Sequence, residues 1–174
     1  ARPTGFDTLS LPNTLTSSGT RQRAGGQGPA VRTVHGDSSA KGIVARQFDS
    51  ELGATYRLIA MDLPGRGESE DARDPSRTYS IHGFADAAME FLDNLGVGKA
   101  VIIGWSLGGH IALEMAARWP GTQGAWITGT PPTGASAEDM MAAFLPSDEV
   151  GFTFKPEFTP DEARQQAHNG IGTH

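Results

Sequence analysis

Apolar positions follow two different spacings along most of this chain, and the alternation predicts strands and helices in turn. Short, mostly β-branched or apolar runs of strand length occupy 31–34, 56–61, 101–103 and 125–128. Between them, apolar residues recur every three or four positions, as on one face of a helix, at 44–52, 81–95 and 107–118. Strands that alternate with helices imply right-handed crossovers. We therefore expect an α/β protein with a mostly parallel sheet flanked by helices.

The helix predicted from Ile81 has the clearest pattern, with an apolar stripe that runs to Leu95. Ser80 is suited to cap its start, and Gly96 to end it. The earlier helical segment should end at Gly53, and the polar residues that lead up to Ser80 predict a loop. In the strand at 31–34, Arg32 is unusual for a position buried on both faces of a sheet.

The two ends of the chain have weaker patterns. Residues 1–28 predict one or two irregular edge strands, with a turn-rich stretch from Gly19 to Gly28. After about residue 134 no strand pattern resumes. Short helices are expected at 135–145 and 161–168, and between them Phe152, Phe154 and Phe158 are interrupted by prolines. This part either completes the core or begins a lid over an apolar substrate. We favour the lid, and divide the chain into a core (1–134) and a cap (135–174).

The strand at 101–103 leads into Gly104-Trp105-Ser106-Leu107-Gly108-Gly109, and a helical pattern follows at once. This order of strand, glycine-flanked serine and helix predicts a nucleophile elbow. Small residues on both sides of Ser106 let the strand and the helix approach closely. The backbone N–H of Leu107, at the helix N-terminus, is placed to stabilise a developing oxyanion.

Composition narrows the classes of partner. The 174 residues carry a formal net charge of -6, which argues against nucleic acid or an anionic membrane as the main partner. No apolar run reaches the roughly 18 residues of a membrane span. The absence of cysteine excludes disulfides, thiolate catalysis and zinc–thiolate sites, and it fits a reducing compartment, so we expect a cytoplasmic protein. No His-x-His or His-Glu-x-x-His spacing occurs, and we expect neither a metal nor a cofactor.

Three motifs together resemble the α/β-hydrolase fold family, over about residues 25–170. They are His35-Gly36-Asp37-Ser38-Ser39, Asp62-Leu63-Pro64-Gly65-Arg66-Gly67-Glu68-Ser69 and the segment from Gly104 to His110. More narrowly, Tyr79-Ser80, Ala85-Asp86-Ala87, Glu114-Met115 and Ile127-Thr128-Gly129-Thr130-Pro131-Pro132 are similar to the serine-dependent N-acyl-homoserine lactonases of this fold. Those metal-free enzymes open the lactone ring of bacterial quorum-sensing signals.

The resemblance implies Ser106 as the nucleophile, with an oxyanion hole formed by the N–H groups of Leu107 and Asp37. It also implies that His35, Gly36 and Trp105 contact the substrate, a small ester or lactone with an apolar acyl chain. An aspartate at position 37 places a negative side chain near a site that must stabilise negative charge. Its N–H would still serve if the carboxylate turned away to cap the following helix.

Arg66 stands where the family's turn often has histidine, and we expect it to be a solvated turn residue. The base and the acid of a serine hydrolase are not apparent. In this fold they come from later strands, in the order Ser, Asp or Glu, His. Of the five histidines, His35 is expected to hold the oxyanion loop by hydrogen bonds and His110 to be fixed in its helix. No carboxylate follows the strand at 125–128. We therefore expect these residues to be the N-terminal part of a longer hydrolase, about 100 residues short, that turns over poorly by itself.

Several functions remain open at this stage. The leading hypothesis is a serine hydrolase that cleaves an ester or lactone through an acyl-enzyme, with N-acyl-homoserine lactone as the specific substrate. A general carboxylesterase or a carbon–carbon bond hydrolase would use the same elbow. A hydrolase scaffold that binds an apolar ligand without turnover is the alternative from another class. The oligomeric state is left open.

Overall fold

The computed structural model describes residues 10–11, 20–25, 28–132, 134, 136–144 and 157–171. Within these residues the strands are β1 (Ser10–Leu11), β2 (Thr20–Gly25), β3 (Ala30–Val34), β4 (Arg57–Met61), β5 (Ala100–Trp105) and β6 (Thr122–Thr128). They form one sheet in the order β1-β2-β4-β3-β5-β6. The four strands β4, β3, β5 and β6 are parallel, as predicted, and β3 lies between β4 and β5.

The N-terminal strands differ in part from the expectation. Two strands are present, but β2 occupies six residues of the stretch that we predicted to be turn-rich. It pairs antiparallel with β4, from Gln22 opposite Met61 to Gly25 opposite Leu58. The turn prediction was wrong here because pairing with β4 outweighs the weak local preference of residues such as Gly25.

The helices of the described part are α1 (Ala45–Phe48), α2 (Glu51–Thr55), α3 (Pro75–Thr78), α4 (Ile81–Asn94), α5 (Leu107–Arg118), α6 (Ala137–Ala142) and α7 (Pro160–Ile171). A 3₁₀ turn at Lys41–Val44 precedes α1. The start of α4 is confirmed, because the Ser80 hydroxyl accepts a hydrogen bond from the Gly83 N–H at 3.0 Å. Its end is confirmed at Gly96, which has φ of 64°.

Two expectations about the helices were wrong. Gly53 does not stop a helix but lies inside α2, where a Cβ would meet the Phe48 carbonyl oxygen at 2.1 Å. Close packing, and not a helix stop, therefore explains this glycine. The predicted loop before Ser80 contains α3, whose N-cap Asp74 accepts a hydrogen bond from the Arg77 N–H. Pro75 at the first helical position was the signal for this helix.

The central strands β3 and β4 bury side chains on both faces of the sheet, whereas β6, at the edge, is largely exposed. In β4, Ile59 and Met61 join the larger core, together with α4 and α5, whereas Leu58 and Ala60 pack with Phe48 on the opposite face. This alternation is the two-residue period of a strand covered on both sides. The core thus fixes the carboxyl ends of β3, β4 and β5, where the loops of the candidate site begin.

The helices α6 and α7 follow the last strand of the sheet in the sequence. Helix α7 lies against the 3₁₀ turn at 41–44. Phe152 and Phe154, which we assigned to the lid, lie outside the described residues. The division into a core and a cap stays a prediction. In the described part of the chain, no helix has the length and apolar character needed to cross a membrane.

Candidate active site

Ser106 lies at the apex of the turn between β5 and α5. Its backbone angles are φ 54° and ψ -121°, a conformation that non-glycine residues rarely adopt. The turn is held from both sides, because the Ser106 N–H donates to the Thr128 carbonyl at 3.0 Å and the Ser106 carbonyl accepts from the Gly109 N–H at 2.9 Å. This strained, well-tied backbone is the geometry expected of a nucleophile elbow.

Close approach of β5, α5 and β3 explains the glycines around the serine. A Cβ at Gly104 would lie 2.2 Å from the Gly108 carbonyl oxygen, and a Cβ at Gly108 would lie 2.2 Å from the Val34 carbonyl oxygen. Both contacts are with backbone, which cannot move aside as a flexible side chain could. The two glycines are therefore required for the turn to form.

The loop that follows β3 passes directly over Ser106. A Cβ at Gly36 would lie 3.1 Å from the Ser106 Cβ and 2.8 Å from Cε3 of the Trp105 ring. The Trp105 side chain is 37% exposed and its ring lies between Gly36 and Gly129. The structure thus places Gly36 beside both Ser106 and Trp105, and the roles expected of these residues stay predictions. The N-terminus of α5 begins at Leu107 on the same side, and its first N–H groups have no acceptor within the helix.

His35 holds this loop from behind. The side chain is buried, the Leu63 N–H donates to its Nε2 at 3.1 Å, and its Nδ1 lies 2.8 Å from the Gly36 carbonyl oxygen. Because Nε2 accepts, the proton of the neutral ring must be on Nδ1, which donates to Gly36. Burial lowers the pKa of His35, which favours this neutral form. Both ring nitrogens are thus bonded to backbone groups, which fits the loop-holding role. The expectation that His35 also contacts the substrate is not supported, because the side chain is buried and neither nitrogen is available for a ligand.

The Asp37 carboxylate does not cap the helix that follows. The 3₁₀ turn begins after Ala40 without a side-chain cap. Instead, Asp37 Oδ1 accepts a hydrogen bond from Arg66 Nη2 at 2.7 Å. Arg66 lies in the turn and is partly exposed, as expected, but its side chain also spans from one loop to the other to bind Asp37, which the expectation of a solvated turn residue did not include.

A second tie between the same two loops is centred on Asp62, which we did not single out. Its carboxylate is almost fully buried and accepts from the Lys41 N–H at 2.6 Å, from Lys41 Nζ at 2.5 Å and from the Glu68 N–H at 3.0 Å. Although burial opposes the charge on Lys41, its hydrogen bonds to Asp62 and Glu68 raise the pKa of the ammonium. A carboxylate placed directly after a buried strand was the available signal for this anchor.

No base for Ser106 is found among the described histidines. His35 is committed to the loop, and His82 lies 3.3 Å from a Glu114 carboxylate oxygen on the outer side of α4 and α5. His110 is half-buried and lines an open cavity of about 480 Å³ together with Ile81, His82, Leu113, Glu114 and Gly134. The side chains of His168 and His174 lie outside the described part. In that part, no group of three or more potential ligand side chains is arranged for a metal ion.

Comparisons with known proteins agree with this geometry. A family model for the alpha/beta hydrolase fold matches residues 29–168. The N-acyl homoserine lactonase AidH, solved in complex with N-butanoyl homoserine, superposes with a TM-score of 0.78 at 37% identity, covering 97% of this chain and 60% of the lactonase. A thermophilic esterase from Thermogutta terrifontis superposes with a TM-score of 0.64 at 25% identity, covering 76% of this chain and 48% of the esterase.

A curated relative is also similar to this chain. The pimeloyl-[acyl-carrier protein] methyl ester esterase of Nitrosospira multiformis is 33% identical over 117 residues, which is 67% of this chain and 44% of the esterase. The chain thus spans less than half the length of this curated relative.

Proposed function

This chain belongs to the α/β-hydrolase fold family, and on that basis we propose that it is a serine hydrolase that cleaves a carboxylic ester or lactone through an acyl-enzyme. The observation that carries the proposal is the strained apex at Ser106, with φ of 54°, beneath the loop at Gly36. A serine is held in this costly conformation only where the surrounding structure enforces it, and such strain is concentrated at functional sites.

The proposed reaction begins with attack of the Ser106 Oγ on the substrate carbonyl carbon. The carbonyl oxygen becomes an oxyanion, which the N–H groups of Leu107 and Asp37 stabilise. The bond from the carbonyl carbon to the ring oxygen then breaks, and the leaving alkoxide takes up the proton that the serine gave up. Water then hydrolyses the acyl-serine ester, which gives the free acid and restores the Ser106 hydroxyl. Gly36 and the exposed ring of Trp105 form the wall beside the serine, and His35 acts by keeping the loop in place. None of the described histidines supplies the base that accepts the serine proton.

N-acyl-homoserine lactone is the substrate that we propose. The supporting evidence is the similarity to a lactonase over nearly the whole of this chain, at 37% identity. The half-exposed Trp105 ring beside the serine provides an apolar surface suited to an acyl chain.

Ring opening of a medium-chain N-acyl-homoserine lactone, followed by mass spectrometry of the hydroxy acid, tests this proposal. We expect slow but measurable opening above the buffer rate, below the usual enzymatic range of about 1–10³ s⁻¹, and its loss in Ser106→Ala. Ser76→Ala is a matched control, because Ser76 is an exposed serine that bonds to Asp74. Ring opening that persists unchanged in Ser106→Ala would contradict the proposal.

A carboxylic methyl ester is the second candidate substrate. It is favoured by the esterase relative, which matches 67% of this chain. Measuring the turnover of a methyl ester and of a lactone by the same preparation separates the two candidates. A ratio that strongly favours the ester would move the assignment from lactonase to esterase, and dependence of both activities on Ser106 is expected in either case.

A further inference from the structure

Two charged residues at the site form a pair that the proposed reaction does not itself require. Asp37, whose N–H is a proposed oxyanion donor, directly follows the glycine that covers Ser106. Its carboxylate is bonded to Arg66 at 2.7 Å. We propose that Arg66 is a positioning residue, which holds and neutralises the Asp37 carboxylate so that the Asp37 N–H can stabilise negative charge. This inference rests on the proposed function, since it concerns one of the two oxyanion donors.

The charge of Asp37 creates a problem that needs a counter-charge. The oxyanion of a tetrahedral intermediate is negative, and a carboxylate on the residue that donates to it would repel that charge through a partly desolvated medium. A guanidinium bound to the carboxylate removes most of the repulsion. It also fixes the side chain of Asp37, and so limits rotation of the peptide group that carries the donor.

The turn that carries Arg66 is itself firmly attached to the oxyanion loop. The Arg66 N–H donates to the Leu63 carbonyl at 2.9 Å, and the Arg66 carbonyl accepts from the Ser69 N–H at 2.9 Å. Leu63 in turn donates to His35 at 3.1 Å. The guanidinium is therefore presented from a backbone that is already tied to residue 35, two positions before Asp37.

The neighbouring charges do not compete for this pair. Lys41 bonds to Asp62 and Glu68, which lie in the other tie between the loops. With side chains that are 32% and 42% exposed, the Arg66–Asp37 pair should contribute little to folding. Its loss should therefore change the reactivity of Ser106 more than the stability of the fold, and this difference distinguishes a positioning role from a structural one.

The test is the rate at which a neutral p-nitrophenyl alkylphosphonate modifies Ser106, followed by intact mass. In that step the Oγ–P bond forms, the P–O bond to p-nitrophenolate breaks, and the serine proton passes to the buffer. We expect Arg66→Gln to slow the modification about tenfold or more, and Arg66→Lys to retain most of the rate. Asp37→Asn combined with Arg66→Gln should return the rate to within about threefold of the parent, because the uncompensated charge is then absent.

Arg77→Gln is the matched control, since Arg77 is an exposed arginine that lies 3.9 Å from the Asp86 carboxylate, outside the site. Urea unfolding should show all these variants to be about as stable as the parent. If Arg66→Gln reacts as fast as the parent, or if the double variant stays as slow as Arg66→Gln, the positioning role is refuted and the proposed function is not. If the parent is not modified at Ser106, the proposed function fails, and the inference fails with it.

Discussion

Replacing Arg32 by methionine should make the folded protein more stable. Arg32 lies in the middle of β3 and is fully buried, and its Nε, Nη1 and Nη2 atoms have no hydrogen-bond partner among the described residues. Its guanidinium carbon lies 5.2 Å from the centre of the Phe91 ring. Burial lowers the pKa of Arg32 to about 9, because the surrounding core disfavours the charged form.

The expected gain in the free energy of unfolding follows from the interactions that the arginine and the methionine make in the core. Taking an ion out of water costs several kcal/mol, even after the protein relaxes around it. A desolvated cation–π contact with Phe91 returns about 2 kcal/mol. Methionine has a flexible, unbranched side chain that can fill the same space without a charge. Replacement of buried ionic groups by apolar ones of similar volume is stabilising by about 1–4 kcal/mol in other proteins, and we expect about 2 kcal/mol here.

Urea unfolding of the parent and of Arg32→Met measures this difference, provided that the slope of the transition is unchanged. Arg57→Met is a matched control, since Arg57 begins the neighbouring strand β4 but is only half-buried, and it should alter stability by about 0.5 kcal/mol or less. The gain should shrink as the pH rises above about 9, where the folded parent releases the proton and its penalty with it. A variant that is less stable than the parent would refute the reasoning, and would mean that the guanidinium has a favourable role in the core.

Three further substitutions test the ties that build the site. Gly104→Ala should lower the free energy of unfolding by about 3 kcal/mol, or prevent folding, because the added methyl would lie 2.2 Å from a backbone oxygen. Gly98→Ala, where a Cβ would have nothing within 4 Å, should leave the stability nearly unchanged in the same urea unfolding assay. The free energy of unfolding of the parent should fall as the pH drops below about 6.5, because the pKa of buried His35 is lowered and the unfolded chain takes up the proton first. Unfolding curves at several pH values should show a smaller fall in His35→Gln. An equal fall in the two proteins would contradict this prediction. Lys41→Met should lower the free energy of unfolding by about 3 kcal/mol, because it leaves Asp62 buried without its counter-charge. Lys99→Met, at an exposed lysine, should change the stability little. Equal losses of stability in the two variants would show that the Asp62 tie is unimportant.

Local signals in this sequence predicted most of the elements and the sharp turn at Ser106. The alternation of short apolar runs with helical stripes predicted β3 to β6 and the helices α4 and α5, because all of these elements except the largely exposed β6 turn apolar residues to the core. The glycines at 104 and 108 predicted the close approach of strand and helix around Ser106. One or two strands were expected in residues 1–28, but the position of β2 was not predicted, because it depends on pairing with β4, which local residue preferences do not encode.

The charged residues of the site were the least predictable. Asp37 and Arg66 are 29 residues apart, so no local pattern could indicate that the aspartate pairs with the arginine and does not cap a helix. Lys41 and Asp62 are joined over 21 residues in the same way. Each of these contacts forms only after the parallel sheet has brought the ends of β3 and β4 side by side, and so it follows from the topology of the fold.

The two ties between the loops have different consequences for the site. The Asp62 tie is buried and joins backbone as well as side-chain groups, so it helps to fix the position of the loop that follows β3. The Arg66 tie is partly exposed and joins only side chains, so it should add little to the stability of the fold, and its proposed role is to hold and neutralise the Asp37 carboxylate. Stability and reactivity are thus expected to depend on separate residues. Since the two contacts share no side chain, substitutions at Lys41 should act on stability and those at Arg66 on reactivity, with nearly additive effects in the combined variant.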